Sequence, residues 1–265
     1  MNGHEALERG ARLGYAARGL VYLIIGGFAF LAAIGQGGGT PDAQGALRIL
    51  LGQPFGKILL VAVALGLLAY AAWRLIMGIK DPENHDSGGR ALLRRAGHIG
   101  SALANIGLAA FAGSLALPGV IPRVGDGGDN GARDWTASLM GQPLGQWLVA
   151  LAGAVVIAVA VGFAVRAVRG TFERHLDRAA CRPAILNLCR IGILARGVVF
   201  ALIGAFLLIA AWQADPNEAK GLGAALASLR QQPYGPILLA AVGLGLVAFA
   251  FYSFIAARYR RISTG

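Results

Sequence analysis

Six long apolar stretches constrain the fold of this chain more than any other feature of its sequence. They cover about residues 17–35, 57–79, 98–118, 143–166, 188–213 and 233–257. All 13 Asp and Glu residues fall outside them. A helix needs about 20 apolar residues to cross the roughly 30 Å hydrocarbon layer of a bilayer. Because lipid cannot hydrogen-bond a bare backbone, each stretch is predicted to be a transmembrane helix.

Composition places the chain among membrane proteins. Hydrophobic residues make up 56% and charged residues 14%, whereas soluble domains carry about 25% charged residues. The alternating ten-residue segments of an outer-membrane barrel are absent. All four tryptophans lie near predicted helix ends, the position of an aromatic belt: Trp73, Trp135, Trp147 and Trp212. The sequence therefore predicts an all-α integral membrane protein with six spans.

The net charge of +11 would suit a nucleic-acid-binding protein. Most of the Lys and Arg residues, however, lie between the apolar stretches, so we expect membrane lipids as partners and no nucleic acid. The two cysteines, Cys181 and Cys189, form no CxxC pattern, and the chain has four histidines and no clustered carboxylates. We therefore expect no metal site and no cofactor.

A short motif shows that the chain repeats itself. Gln-Pro-x-Gly occurs as Gln53-Pro54-Phe55-Gly56, Gln142-Pro143-Leu144-Gly145 and Gln232-Pro233-Tyr234-Gly235, at intervals of 89 and 90 residues. A second mark precedes each motif by about 40 residues: Arg12-Leu13-Gly14, His98-Ile99-Gly100 and Arg190-Ile191-Gly192. A constant period indicates a repeated structural unit. Three two-helix repeats are predicted at 1–84, 85–178 and 179–265.

Each Gln-Pro motif is interpreted as a structural helix start. Proline lacks an N–H and has φ near −65°, which suits the first turn of a helix. We therefore expect each proline to begin the second transmembrane helix of its repeat. Apolar residues at helical spacing precede each motif and predict a short helix along the outer membrane surface: Leu47, Leu50 and Leu51; Trp135 and Leu139; Leu222, Leu226 and Leu229.

The distribution of positive charge predicts the topology. Eighteen Lys and Arg residues lie on the side of the two termini, and six lie on the opposite side. Positive charges in short loops stay in the cytoplasm, so both termini are predicted to be cytoplasmic. All three repeats then share one orientation, which favours a pseudo-threefold arrangement about the membrane normal.

Two arginines are the best candidates for a functional site. Arg18 and Arg196 occupy equivalent positions in the outer repeats, about 9 Å deeper than the basic residue that begins each repeat. With Arg12, His98 and Arg190 as a shallower ring, they would suit an anionic solute or a lipid head group. The alternative interpretation is that these arginines extend to the interface and fix orientation.

The middle repeat has diverged at the position of these arginines. It reads Leu103-Ala104-Asn105 where the outer repeats read Ala17-Arg18-Gly19 and Ala195-Arg196-Gly197. We expect Asn105 to hydrogen-bond a neighbouring helix rather than a ligand, because a polar amide in a span needs a partner.

These marks resemble a family of bacterial membrane proteins called domain of unknown function 1206, whose members have three tandem two-helix units. The resemblance rests on Gly14-x-x-x-Arg18-Gly19-x-x-Tyr22, the run Leu50 to Gly56, and Gly66-Leu67-x-x-Tyr70 with Trp73-Arg74. The third repeat matches through Gly192-x-x-x-Arg196-Gly197-x-x-Phe200, Pro233-x-Gly235 and Gly245-Leu246-x-x-Phe249. The middle repeat lacks the Arg-Gly pair and the Gly-Leu-x-x-aromatic mark. The resemblance implies a multi-pass protein of the bacterial plasma membrane and implies no mechanism.

Three functions remain open at this point. A non-catalytic accessory or structural subunit of another membrane protein is favoured, because the spans hold no carboxylate of the kind that proton and cation transporters use. The alternative is binding or passage of an anion, a lipid head group or a small solute through Arg18 and Arg196. A membrane enzyme is the weakest of the three interpretations, since no nucleophile–base pair is visible in the sequence. We expect no enzymatic activity.

Overall fold

The computed structural model describes residues 3–37, 39–80, 89–122, 125, 127–173, 177 and 182–259, and these residues form nine α-helices. The helices are α1 Gly3–Ala33, α2 Ala43–Leu51, α3 Gly56–Lys80, α4 Gly89–Ala116, α5 Asp129–Met140, α6 Gly145–Val168, α7 Pro183–Gln213, α8 Leu222–Arg230 and α9 Gly235–Tyr259. Six of them, namely α1, α3, α4, α6, α7 and α9, are long and apolar enough to cross a membrane. Each overlaps one predicted stretch. The predicted all-helical, six-span membrane fold is confirmed.

The two ends of the bundle differ. Because the number of spans is even, α1 begins and α9 ends at the same end, which we call the terminal side. The short helices α2, α5 and α8 precede α3, α6 and α9 at the opposite end, which we call the cap side. The three short helices predicted before the Gln-Pro motifs are thus present.

The spanning helices pack in the order α4, α3, α1, α9, α7, α6. Contacts between successive repeats occur three times, as α3 with α4, α6 with α7, and α9 with α1. Contacts within a repeat occur twice, as α1 with α3 and α7 with α9, whereas α4 and α6 make no extended contact along their described residues. The contacts between repeats therefore follow a threefold pattern. The contacts within repeats do not, because the two spanning helices of the diverged middle repeat are not packed together in the described part of the chain.

Glycines set the spacing between the spanning helices. A Cβ on Gly26 of α1 would lie 2.7 Å from the carbonyl oxygen of Gly243 on α9. Gly153 of α6 and Gly204 of α7 approach each other in the same way, each Cβ position lying 3.1 Å from the other's carbonyl oxygen. Such backbone contact is the usual way to associate helices in lipid, where apolar side chains gain little by leaving the solvent.

The Gln-Pro motif forms a turn rather than the first turn of a helix. Gly56, Gly145 and Gly235 begin α3, α6 and α9, and their N–H groups donate to the carbonyl oxygens of Gln53, Gln142 and Gln232 at 2.8, 2.9 and 2.8 Å. The residue between proline and glycine has a positive φ of 62° at Phe55, 62° at Leu144 and 60° at Tyr234. Proline followed by a positive φ is the pattern of a type II turn.

The expectation that Pro54, Pro143 and Pro233 begin these helices is therefore wrong by two residues. Proline suits the second position of this turn because its ring fixes its own φ near the value that the turn requires. Glycine is required after it because a Cβ at Gly56, Gly145 or Gly235 would collide with a carbonyl oxygen at the end of the preceding short helix.

The short helices differ in what they cover. In α2 and α8 the apolar stripe packs onto the bundle, and Leu47 and Leu226 are fully buried in one cluster with residues of α1 and α3. The middle repeat again departs, because Trp135 of α5 is exposed. Trp147 and Trp212 are exposed as well, whereas Trp73 is 2% exposed and packs against Tyr15 and Tyr70. The aromatic-belt interpretation is wrong for Trp73.

The N-termini of the three short helices meet on the cap side. Thr40 Oγ1 donates to the carbonyl oxygen of Gly223 at 2.9 Å, and Gly127 N–H donates to Gln44 Oε1 at 3.0 Å. Asp42 and Asp129 lie at this junction, where the positive ends of the helix dipoles attract carboxylates. Glycine keeps the junction compact, since a Cβ on Gly128 would collide with Asp42 and one on Gly221 with Asp129.

Burial raises the pKa of Asp129, and the neighbouring Asp42 carboxylate raises it further. Backbone N–H groups of Ala224 and Gly223 and the charge of Arg133 act in the opposite direction, and their effect is smaller. The folded protein therefore prefers Asp129 protonated, relative to the unfolded chain. A raised folded-state pKa contributes stability that is present at low pH and is lost as pH rises through that pKa.

This preference predicts a pH-dependent difference between the wild type and Asp129→Asn. As pH falls from 7 toward the ordinary carboxyl pKa of 3.8, the thermal midpoint of the wild type should rise relative to that of the variant. Asp134→Asn, an exposed change on the same helix, should show no such trend. Thermal unfolding in detergent at a series of pH values measures the difference, and a constant difference would contradict the assignment.

Candidate functional site

The structure brings Arg18 of α1 and Arg196 of α7 to one aromatic ring. Each guanidinium carbon lies 4.8 Å from the ring centroid of Phe249 on α9. The two guanidinium carbons are therefore separated by at most twice that distance. Both also lie over Tyr22 of α1, at 5.8 and 5.1 Å. Two like charges at equivalent repeat positions thus share a site inside the bundle.

Backbone contact between helices positions this ring. A Cβ on Gly192 of α7 would collide with the backbone of Phe249, and one on Gly19 of α1 would lie 2.7 Å from the ring of Phe254. The helix α9 is therefore held closely against both α1 and α7. As a result Phe249, which is 1% exposed, stands between the helices that carry the two arginines.

Arg18 has one hydrogen-bond partner on a neighbouring helix. Its Nη1 donates to the hydroxyl of Tyr70 on α3 at 2.9 Å, and the guanidinium carbon lies 5.8 Å from the centroid of that ring. The tyrosine is buried. Arg18 is thereby held between α3 and α9.

Arg196 is surrounded by rings but has no hydrogen bond to any residue in the described part of the chain. Its guanidinium carbon lies 5.0 Å from the ring centroid of Phe163 on α6 and 5.2 Å from that of Phe200. Its Nε and Nη1 atoms are buried and have no hydrogen-bond partner among the described residues. Stacking on rings uses the faces of a guanidinium, so the N–H groups in its plane remain available to an acceptor.

Neither arginine is neutralised within the described part of the chain. The ion pair found there joins Arg190 to Glu173 at 2.9 Å, and no described carboxylate contacts Arg18 or Arg196. Each side chain also contacts a ring four residues further along its own helix, Tyr22 for Arg18 and Phe200 for Arg196. The interpretation that they serve as interfacial anchors stays a prediction.

The shallower candidates are engaged at three different helix interfaces. Arg12 Nη1 donates to the carbonyl oxygen of Arg258 at the end of α9, at 3.2 Å. His98 Nδ1 lies 2.6 Å from Nη1 of Arg74 on α3. Arg190 pairs with Glu173, which follows α6. In each case the residue contacts the end of the preceding repeat, so these side chains have structural partners of their own.

Asn105 does not bridge two helices. Its Nδ2 donates to the carbonyl oxygen of Ser101, one turn earlier in α4, at 2.6 Å. The expected contact with a neighbouring helix is thus replaced by a bond within the same helix. Cys189 is a buried free thiol, and Cys181 lies outside the described residues.

The middle repeat leaves an opening beside the arginines. A Cβ on Gly14 would collide with Tyr70 of α3, and one on Gly192 with Phe249 of α9. Their equivalent in the middle repeat, Gly100 of α4, has no atom within 4 Å of the same position. The residue that would face it on α6 is Val159, the equivalent of Tyr70 by its distance from the Gln-Pro motif. We call this gap the α4–α6 opening.

Two shallow pockets lie outside the site formed by Arg18 and Arg196. One, of about 310 Å³, is at the cap-side junction beside Asp42 and Asp129. The other, of about 450 Å³, is on the terminal side and is lined by Arg9, Leu13 and Arg258 together with Arg12 and Ala257. The arginine site is thus formed by packed rings rather than by either pocket.

Sequence reasoning named the two arginines but not the rings around them. Four of these rings carried a signal, because Tyr22, Phe200, Tyr70 and Phe249 are the aromatic residues of the repeated marks. Phe163 belongs to no repeated mark, so sequence comparison within the chain could not have identified it.

Comparison with known proteins agrees with this repeat structure. The family model described as Domain of Unknown Function (DUF1206) matches residues 13–81, 96–170 and 191–260. Each matched segment lies within one predicted repeat. The chain is 36% identical over 261 residues to an uncharacterized protein, YxxB, of Bacillus subtilis (strain 168), covering 97% of this chain and 92% of that protein. No solved structure matches the chain.

The three equivalent glycines should respond differently to one methyl group. Gly14→Ala and Gly192→Ala should each destabilise the protein by about 1–3 kcal/mol, because the added Cβ meets backbone and Cβ atoms that cannot move aside. Gly100→Ala should be neutral, or stabilising by up to about 1 kcal/mol through helix propensity. Thermal unfolding in detergent measures all three. Equal destabilisation at Gly100 would show that α4 and α6 are in contact.

Proposed function

Because the chain belongs to the DUF1206 family, whose description leaves the activity open, we propose a function from the site itself: the protein binds an anionic group at Arg18 and Arg196. The group would be a phosphate or a carboxylate, whose oxygens match the planar N–H groups of a guanidinium. The role proposed is binding without catalysis.

The observation that carries this proposal is the unpaired charge of Arg196. Its buried Nε and Nη1 atoms have no hydrogen-bond partner among the described residues, and Arg18 lies over the same Phe249 ring. A charge inside a membrane protein is costly unless it is paired, so intramembrane arginines usually mark a functional site. A bound anion would neutralise both groups and complete their hydrogen bonds.

Binding fits this geometry better than passage. The rings that surround the arginines are close-packed, with Tyr70 and Phe249 each 1% exposed. A solute crossing the bundle would have to displace them. Binding at the two arginines, which are half-buried, does not require a solute to pass through these rings.

An accessory role, which the sequence favoured, is a second candidate. The support for this role comes from α6, which is less covered by the rest of the chain than α9 is. In the most apolar segment of each helix, 17% is buried in α6 and 50% in α9. A helix of another membrane protein could cover this surface. Anion binding at the arginines does not depend on that partner.

Substitution of the two arginines tests the proposal directly. The pair Arg18→Gln and Arg196→Gln should weaken binding of glycerol 3-phosphate to the detergent-purified protein about tenfold or more, since each hydrogen bond to a charged group contributes about 1.5–3 kcal/mol. The thermal midpoint without ligand should not fall, because the change removes two half-buried charges that no described carboxylate neutralises. Titration calorimetry and thermal unfolding provide the two measurements.

Arg169→Gln is the matched control, because Arg169 is an exposed arginine on the terminal side. It should leave binding unchanged. Wild-type affinity in the double variant would eliminate the proposal.

We also propose that the terminal side faces the cytoplasm of a bacterial plasma membrane, on the basis of its excess of positive charge. In a cysteine-free background, Trp212→Cys on the cap side should react with a membrane-impermeant maleimide in intact cells. Arg169→Cys should react only after permeabilisation. The reverse labelling pattern would invert the proposed orientation.

A further inference from the structure

The α4–α6 opening lies next to the arginine site, because Phe163 of α6, whose ring centroid is 5.0 Å from the guanidinium carbon of Arg196, is one turn from Val159. On α1 the residue seven positions beyond Arg18 is Ile25, which is fully buried. Its counterpart seven positions beyond Arg196 on α7 is Ile203, which is only half-buried. In the middle repeat the equivalent of the arginines is Ala104, a small residue that is exposed. Side chains at these repeat positions are therefore covered on α1, partly covered on α7 and exposed on α4.

The walls of the opening are apolar. Val155 and Val159 of α6 are 46% and 39% exposed, and Leu103 of α4 is 61% exposed. Gly162, one turn beyond Val159, has open space around its Cβ position. Neither α4 nor α6 contains an Asp or Glu residue. A hydrated anion would lose its water between such walls at a high cost, whereas acyl chains would remain in contact with apolar surface.

The opening also faces sideways rather than toward either end of the bundle. It separates two membrane-spanning helices, each of which packs against one other spanning helix, α3 or α7. The solvent beside two such helices is the bilayer itself. A molecule that arrives through this gap thus comes from the membrane.

From these observations we infer that the ligand is an anionic phospholipid that enters laterally through the α4–α6 opening, places its phosphate at Arg18 and Arg196, and leaves its acyl chains between α4 and α6. This inference rests on the proposed function, since it identifies the molecule that carries the anionic group. Charge complementarity favours this occupant, because Arg196 contacts Phe163 of α6 and Arg18 shares the Phe249 ring with it, while the exposed side chains beside them on α4 and α6 are apolar.

A variant that narrows the opening separates this inference from the proposed function. Gly100→Phe adds a ring in the opening, where the structure leaves space, four residues before Ala104. Gly27→Phe is the matched control, because Gly27 also has no atom within 4 Å of its Cβ position and lies on α1, away from the opening. Both variants and the wild type are reconstituted in nanodiscs of mixed phosphatidylcholine and phosphatidylglycerol and then extracted into neutral detergent.

Native mass spectrometry then counts the phosphatidylglycerol retained by each chain. The wild type and Gly27→Phe should retain it in preference to phosphatidylcholine. Gly100→Phe should lower this retention about tenfold, in line with the loss of a charge-assisted phosphate contact, while its affinity for glycerol 3-phosphate stays at the wild-type level.

The two ideas fail in different ways. If Gly100→Phe retains phosphatidylglycerol as well as Gly27→Phe does, the lateral route is wrong, whatever the arginine variants show. If the wild type binds glycerol 3-phosphate but does not enrich phosphatidylglycerol over phosphatidylcholine, the ligand is a soluble anion and the inference is overturned. Loss of glycerol 3-phosphate binding in Arg18→Gln with Arg196→Gln bears on the proposed function alone.

Discussion

Backbone contact at glycine holds this bundle together, and the rest of the structure depends on where that contact is made. Helices in lipid gain little from burying apolar side chains, so close approach and good packing must provide the attraction. Gly26 and Gly243 provide it between α1 and α9, and Gly153 and Gly204 between α6 and α7. Where the contact is missing, at Gly100, two spans separate. The candidate site lies beside that gap.

The same packing explains how two arginines are accommodated without a described carboxylate. The close approach of α9 to α1 and α7 fixes Phe249 between them, and ring faces supply a favourable environment for the flat sides of both guanidinium groups. That stabilisation is modest and leaves Nε and Nη1 of Arg196 without an acceptor among the described residues. The fold therefore holds the charges in place but does not neutralise them, which is the physical basis for proposing a bound anion.

Some features of the site were visible in the repeats and others were not. Arg18 and Arg196 stood out because they occur at the same place in two copies, and Tyr70 and Phe249 belonged to a repeated aromatic mark. Trp73 was misread because its place near a helix end is the same for an interfacial and a buried ring. The Gln-Pro motif predicts a helix start but forms a turn just before the helix, since proline favours both a helix start and the second position of a type II turn. Asn105 found its acceptor within its own helix, a local option that its sequence context did not reveal.

By itself the sequence determined the six spans, the three repeats, the short helices before the Gln-Pro motifs and the two arginines. These follow from local chemistry, because apolar length, turn residues and repeat spacing act over neighbouring positions or recur at a fixed interval. Only the tertiary structure decided that α4 and α6 stand apart, that both arginines share the Phe249 ring and that no described carboxylate reaches them. Those outcomes depend on which helix faces meet, and each face is chosen by the packing of all its neighbours together. Gly14 contacts a neighbouring helix and Gly100 does not, although the two glycines occupy the same place in their repeats.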